Sequence, residues 1–272
     1  MNKLTKTISY IFILFMGIII IFPFIYMLLA SLMTHSETIS IPPTLLPKHL
    51  NWTNFVEVFN KAPFIRYFVN TVLVASIITL ATLITSVFSA FALTSLEFRF
   101  KKLVKTIFLM LLMVPYESII FTNYNTIAKL GLLNTYTALI IPFLTSIFYI
   151  YYLIGYFNSL PKTYYQAAKI NGATNLEYIW KILVPMSKPA LVTVGLLTFI
   201  SSWNSFLWPL LVTNDQNHRL LNNGLTAFTT ESGSDVQLQL AAATLTIIPI
   251  LIIYLIFRKQ IIKGVAHNGI KG

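Results

Sequence analysis

Chemistry has few places to reside in this chain. Among 272 residues there are eight Asp and Glu, four His and no Cys. His35, His49, His218 and His267 are scattered and never fall at metal-ligand spacing. Without cysteine there is no disulfide, thiolate nucleophile or iron–sulfur ligation. No Ser/His/Asp or paired-carboxylate grouping stands out, and no Gly-Lys pair occurs anywhere, so a phosphate-cradling Gly-x-x-x-x-Gly-Lys-Ser/Thr loop is excluded. What remains is recognition. Glu117 is the carboxylate that falls within an apolar run, and an ionisable group there is costly enough to be a functional suspect. Pro115 and Tyr116 beside it predict a local break where water or a partner could instead satisfy it. Trp203, Asn204 and Trp208 form a second candidate group, because indoles stack on the apolar faces of sugar rings while an amide hydrogen-bonds hydroxyls. An amide within a span prefers the interior of a bundle. The tryptophans could equally belong to an interfacial aromatic belt, with Pro209 merely kinking the helix.

The elements that would position these residues are set by lipid. Hydrophobic residues make up 56% of the chain, charged ones 10%, and the mean hydropathy is +0.75, too little polar surface for a soluble globule of this size. A hydrocarbon core of about 30 Å needs about 20 apolar residues per helical span. Six such runs are predicted, at 10–32, 70–94, 106–126, 136–156, 189–212 and 238–257. The first follows Lys3 and Lys6, is too long for a cleaved leader and reads as a signal anchor. With the N-terminus inside, Lys3, Lys6, Arg99, Lys101, Lys102, Lys105, Lys162, Lys169, Lys181, Lys188, Arg258, Lys259, Lys263 and Lys271 are cytoplasmic. Lys48, Lys61, Arg66, Lys129 and Arg219 stay outside, so the topology is N-in and C-in. The same bias explains the net charge of +11 without invoking nucleic acid. The chain thus divides into a signal anchor with the first outer loop (1–69), a core transmembrane domain (70–257) and a cytoplasmic tail (258–272).

One cytoplasmic loop, 158–188, is too long to be only a connector. Pro161 sits near the start of a first short helix and Gly172 can take the left-handed conformation that ends it. Thr174-x-x-Glu177 is a capping box for a second helix, which Pro185 and Pro189 close. A compact helical hairpin with small residues at its turn suits close approach by another protein; the alternative is a hairpin lying on lipid headgroups.

Within this loop Gln166-Ala167-Ala168-Lys169-Ile170-Asn171-Gly172-Ala173, followed by Ile182, Val184-Pro185 and Pro189, resembles the EAA loop of ATP-binding-cassette importer permeases. Gln166 stands where that family usually has Glu, and Asn171 where it has Asp. Trp203-Asn204-Ser205-Phe206-Leu207-Trp208-Pro209-Leu210 is similar to a segment of permeases from carbohydrate importers of the maltose type and their glycerol-phosphate relatives. The tail from Lys263 to Gly272 is similar to that of the smaller maltose-type permease subunit. The resemblance implies an all-α membrane protein of six transmembrane helices with the type I importer permease fold and a cytoplasmic coupling helix. It implies that Gln166, Ala167, Ala168, Asn171, Gly172, Ala173 and Glu177 face a cytoplasmic ATPase dimer, which would hold the ATP and Mg that this chain does not. Asn268, Gly269 and Lys271 would reach the same ATPase. A second related permease, an extracytoplasmic solute-binding protein and a bacterial plasma membrane location are further implications. The solute is left between a sugar or oligosaccharide and a glycerol-phosphate compound. The alternative of a different class is an ion-coupled transporter working alone, for which Glu117 is a solitary midplane candidate.

Overall fold

The computed structural model describes residues 3–230 and 233–269. In order, its principal helices are α1 (Lys3–Ala30), α2 (Thr53–Lys61), α3 (Phe64–Ser95), α4 (Lys101–Leu112), α5 (Tyr116–Lys129), α6 (Tyr136–Ile140), α7 (Ile147–Ser159), α8 (Thr163–Ile170), α9 (Asn175–Tyr178), α10 (Lys188–Trp203), α11 (Leu207–Val212) and α12 (Val236–Gly269). Among the described residues the only strand pairing is two residues long, Thr229–Thr230 against Gly233–Ser234. By length and composition Thr5–Ala30, Phe64–Ser95 and Val236–Arg258 could each cross a membrane. Three further pairs qualify together but are bent, by 98° between α4 and α5, 42° between Tyr136–Phe143 and Ile147–Ser159, and 83° between Asn175–Met186 and Lys188–Trp203. Six spans result if each bent pair counts as one.

The bends have local causes. Pro115, extended at φ −68° and ψ 138°, lacks the N–H that would continue α4, as the Pro115-Tyr116 pair predicts. Pro142 interrupts the second pair: it has no N–H to offer Ala138 O, which accepts from the Trp208 indole N–H instead, and the carbonyls at the end of that helix are not left bare either. The Thr82 hydroxyl donates to Phe143 O at 3.1 Å and the Thr85 hydroxyl to Leu144 O at 3.0 Å. Breaks inside a membrane protein survive where side chains re-satisfy the backbone in this way.

The run 189–212 departs from expectation. It is not one helix: α10 ends at Trp203, and α11 begins only at Leu207. Pro209 supplies the reason, since its ring would clash with the carbonyl four residues back, that of Ser205, and the interruption falls there.

The chain falls into two compact units, Met1–Arg66 with Gly224–Leu251, and Tyr67–Asn223 with Ile252–Gly272. In the first, the Asn54 amide on α2 donates to Ser31 O and Met33 O, both at 2.8 Å, capping the carbonyls left at the end of α1. Lys61 and His35 both reach Asp235. In the second, Val87, Ala90 and Phe91 of α3 pack with Leu153 and Phe157 of α7, with Tyr178, Ile179 and Leu183 of the 158–188 loop, and with Ala190 and Val194 of α10. That cluster joins the predicted hairpin to the spanning helices.

Candidate functional site

The hairpin is built by local signals. Where α8 ends, the Ala173 N–H donates to Ala168 O at 2.9 Å and the Gly172 N–H to Lys169 O at 3.0 Å, the paired bonds of a Schellman termination. Gly172 stands at φ +79°, which a residue with a side chain rarely adopts. Asn171 Nδ2 donates to Ala167 O at 2.8 Å. An aspartate could not make that bond and would add negative charge to the negative end of the helix dipole, so the amide at 171 serves the helix terminus. Beyond the turn, the Glu177 N–H donates to Thr174 Oγ1 at 3.2 Å while the Thr174 N–H donates to Glu177 Oε2 at 2.9 Å, the reciprocal capping box that the sequence predicts.

The Thr174 backbone N–H, followed by the hydrogen bond from Lys181 and the Thr174 hydroxyl, lowers the Glu177 carboxyl to about 2. A depressed carboxylate contributes stability above its ordinary value of 4.5, and loses it as pH falls toward about 2. The hairpin's cap therefore persists at neutral and mildly acidic pH and dissolves only in strong acid. Carbon-13 shifts of the Glu177 carboxyl check this; a midpoint near 4.5 would contradict it. Replacing Thr174 by Ala should cost α9 about 1 kcal/mol, read as faster amide exchange at Asn175–Tyr178 with little change at α8.

An aromatic clamp ties the hairpin to α3. Tyr165 and Tyr178 stack edge-to-face with ring centroids 4.9 Å apart, and Phe91 lies 5.8 and 6.0 Å from them. The Tyr165 hydroxyl donates to Asn175 Oδ1 at 3.0 Å, closing α8 onto α9. With Phe91 and Tyr178 both buried, the hairpin cannot shift without moving α3. Its other side is bare: Gln166 and Ala167 are exposed, and Ile170 is 86% exposed. Ala168 instead packs into the core. An open groove of about 300 Å³ gathers Asn171, Gly172, Ala173 and Glu177 with Lys181 and Ile182, so four of the seven expected coupling residues share one surface. Gln166 lines a separate cavity of about 290 Å³ with Glu97, Asn158, Lys162 and Tyr165.

The solute-path candidates are not brought together. Trp203 is buried, with its ring against Phe68 and Phe199 at centroid distances of 5.8 Å and its carbonyl accepting from Asn222 Nδ2 at 3.0 Å. Trp208 is buried too, its indole N–H donating to Ala138 O at 3.0 Å. Both rings are thus packed, and Trp208 stands in the wall of a small cavity, about 80 Å³, beside the α10–α11 break. Asn204 is exposed and ends α10. Glu117 is exposed in the first turn of α5, with no ion-pair partner among the described residues. In the tail, only the backbone of Asn268 and Gly269 is described, as the end of α12, and Lys271 lies outside the described residues.

Two features escape a reading of the sequence. Ser201, Ser202 and Ser205 line the cavity at the break. Asn134, in the left-handed region at φ 58°, accepts from the Asn214 N–H at 2.6 Å and donates its own N–H to Val212 O at 2.8 Å, fixing the turn before α6 to the chain after α11. The Tyr136 hydroxyl donates to Asn70, whose amide holds the carbonyls of Asn217 and Arg219. The sequence's hint was an amide at the head of two of the apolar runs, Asn70 and Asn134.

A predominantly helical fold with broken apolar spans and a capped, exposed hairpin is that of a membrane protein. Residues 82–267 match the model of the binding-protein-dependent transport system inner membrane component family, and the chain belongs to that family. It is 32% identical over 261 residues to the arabinooligosaccharides transport system permease protein AraQ of Halalkalibacterium halodurans, covering 95% of this chain and 94% of the relative. It is 33% identical to the trehalose/maltose transport system permease protein MalG of Thermococcus litoralis, over 94% of each chain. The sn-glycerol-3-phosphate transport system permease protein UgpE of Yersinia pestis is 30% identical over 92% of each. In fold the chain matches, with a TM-score of 0.82 and 23% identity, over 94% of its length and 96% of the other, a chain of a bacterial ABC transporter involved in the import of the acidic polysaccharide alginate.

Proposed function

We propose that this chain is a permease subunit of an ATP-driven, binding-protein-dependent importer for a carbohydrate. The observation that carries the reading is the hairpin: its caps hold a groove of small and polar residues open on one side, and its aromatic clamp welds the other side to α3. Motion imposed on such a hairpin by a partner must pass into the spanning helices. The partner is a cytoplasmic ATPase dimer, holding ATP and Mg, whose closure drives alternating access. Gln166, Ala167, Ala168, Asn171, Gly172, Ala173 and Glu177 provide the docking surface, with Asn268, Gly269 and Lys271 of the tail reaching the same subunits. The chain crosses the bacterial plasma membrane six times, N-in and C-in, beside a second related permease. Solute arrives on an extracytoplasmic binding protein at the outer segments, chiefly 213–237. Glu117, Trp203, Asn204 and Trp208 lie along or support the solute path. The relatives named for arabinooligosaccharides and for trehalose and maltose favour a sugar; the one named for glycerol phosphate keeps that compound as the second reading.

Affinity purification of the tagged chain from its native membranes in mild detergent tests the assembly. An ATPase, a second six-span permease and a binding protein are expected to come with it. Recovery of the chain alone, under conditions that preserve complexes, would contradict the subunit assignment.

A further inference from the structure

The helix break between Trp203 and Leu207 leaves three hydroxyls without the partner that hydroxyls in this protein ordinarily find. Thr71, Thr79, Thr94, Thr193, Thr198, Thr213, Thr244 and Thr246 each donate to the carbonyl four residues earlier. That is the usual retreat of a hydroxyl in an apolar helix. Ser201, which is exposed, and Ser202 and Ser205, which are half-buried, show no such bond among the described residues. All three face one cavity of about 80 Å³, walled by Trp208, Pro209, Phe143 and aliphatic side chains. Its lining holds no charged group. The Trp208 indole N–H is spent on Ala138 O, so the ring is a fixed apolar wall rather than a mobile donor.

Convergent hydroxyls against a rigid indole, with no cation, form a site for neutral polyol chemistry. An anion entering it would shed water and meet no counter-charge, a cost that a handful of neutral donors does not offset. Nor do the segments placed outside by the positive-inside count supply a cationic funnel: Lys48, Lys61, Arg66, Lys129 and Arg219 are matched by Glu37, Glu57, Glu117, Asp215, Glu231 and Asp235. We infer that the cavity at the α10–α11 break, lined by Ser201, Ser202 and Ser205 with Trp208 as its wall, is a subsite in this chain for the hydroxyl-bearing edge of a neutral sugar. The inference rests on the importer reading and deepens it, separating this chain's solute from glycerol phosphate and from uronate polymers. The volume admits one edge or hydroxymethyl arm of a ring, so the remainder of the solute lies outside it.

Because the chain has no cysteine, Ser205→Cys and Ser202→Cys each place a single thiol at the site. The complete transporter with its binding protein, reconstituted in vesicles, is supplied with arabinotriose, maltotriose or trehalose, or with the anions sn-glycerol 3-phosphate and trialginate. The expected result is ATP-dependent uptake of at least one neutral probe and of neither anion. In the same assembly, that sugar should slow maleimide labelling of the Ser205→Cys variant. Each Ser→Ala change at 201, 202 or 205 should raise the KM for uptake by about threefold to tenfold, as loss of one hydrogen bond does, and Ser205→Thr, which keeps the hydroxyl, should restore it. Preference for an anion, or neutral-sugar uptake with labelling unprotected and KM unchanged in the triple Ala variant, would overturn the subsite. Should the Ala variants fail to assemble, protection of the thiol in the Ser202→Cys and Ser205→Cys variants decides alone. ATP-independent behaviour toward every probe would instead strike at the importer reading itself.

Discussion

Replacing Gly172 by Val is expected to abolish solute uptake by more than tenfold while the chain still inserts and assembles. Gly172 stands at φ +79°, and an added Cβ there meets no atom within 4 Å. The penalty is therefore confined to the backbone, about 1–2 kcal/mol for any side chain in the left-handed region and more for a β-branched one. The hairpin relieves it by rotating the peptide out of that region, which breaks the bonds from Ala173 to Ala168 and from Gly172 to Lys169 and skews α9 against α8. Both helices remain anchored to α3 through Tyr165 and Tyr178, so what changes is the shape of the groove and not the fold. ATP hydrolysis by the assembled complex should persist or rise while uptake falls. Gly172→Asn, which tolerates the left-handed region, should retain much of the transport. Unchanged uptake in Gly172→Val would remove the groove from the coupling path.

Trp208→Ala carries the largest expected effect on stability. The ring is buried, its indole N–H bonds Ala138 O at 3.0 Å, and it packs with Val74, Ile78 and Leu139 in one cluster. Deleting it removes that packing, enlarges the cavity at the break and leaves the Ala138 carbonyl unpaired. Aromatic-to-alanine changes in cores cost about 3–5 kcal/mol, and in a chain of this length the unfolding midpoint should fall by about 10 °C. Thermal denaturation in detergent, followed by fluorescence, measures it. Trp208→Phe, which keeps most of the volume and loses the donor, should recover more than half of the loss. A midpoint within a degree of the parent's would mean that Trp208 is not the buried ring described.

The hairpin could be read from the sequence because its signals are local. A glycine past the end of α8, and Thr174 three residues before Glu177, fix backbone geometry within one turn and need nothing from afar. The apolar runs were legible for a similar reason, since lipid demands length and composition whatever the neighbours. The break in 189–212 was less so: Pro209 announces a kink, but whether a helix bends through it or stops depends on what receives the freed groups. The same holds at Pro142, where the Trp208 indole, 70 residues away, receives the freed Ala138 carbonyl, and Thr82 and Thr85 bond the carbonyls at the helix end. Tryptophans near a span's end are ambiguous for a further reason. A ring at an interface and a ring in a packed core have the same sequence neighbours, and only the Ala138 carbonyl beside Trp208, or Phe68 and Phe199 beside Trp203, separates them. The serines at the break gave no signal, because a serine in an apolar helix ordinarily bonds its own backbone and passes for filler. Asn171 is the opposite lesson. Its departure from the acidic residue of similar loops reads as a lost charge, and in the structure it is a gained hydrogen bond to Ala167.

Uptake into sealed vesicles holding the purified assembly, with ATP enclosed and labelled sugar presented on the binding protein outside, bears most directly on the proposed role of this chain. Accumulation that requires ATP, the binding protein and an intact Gly172 turn together is the predicted result. Accumulation driven by an ion gradient, indifferent to ATP and to the turn, would contradict it.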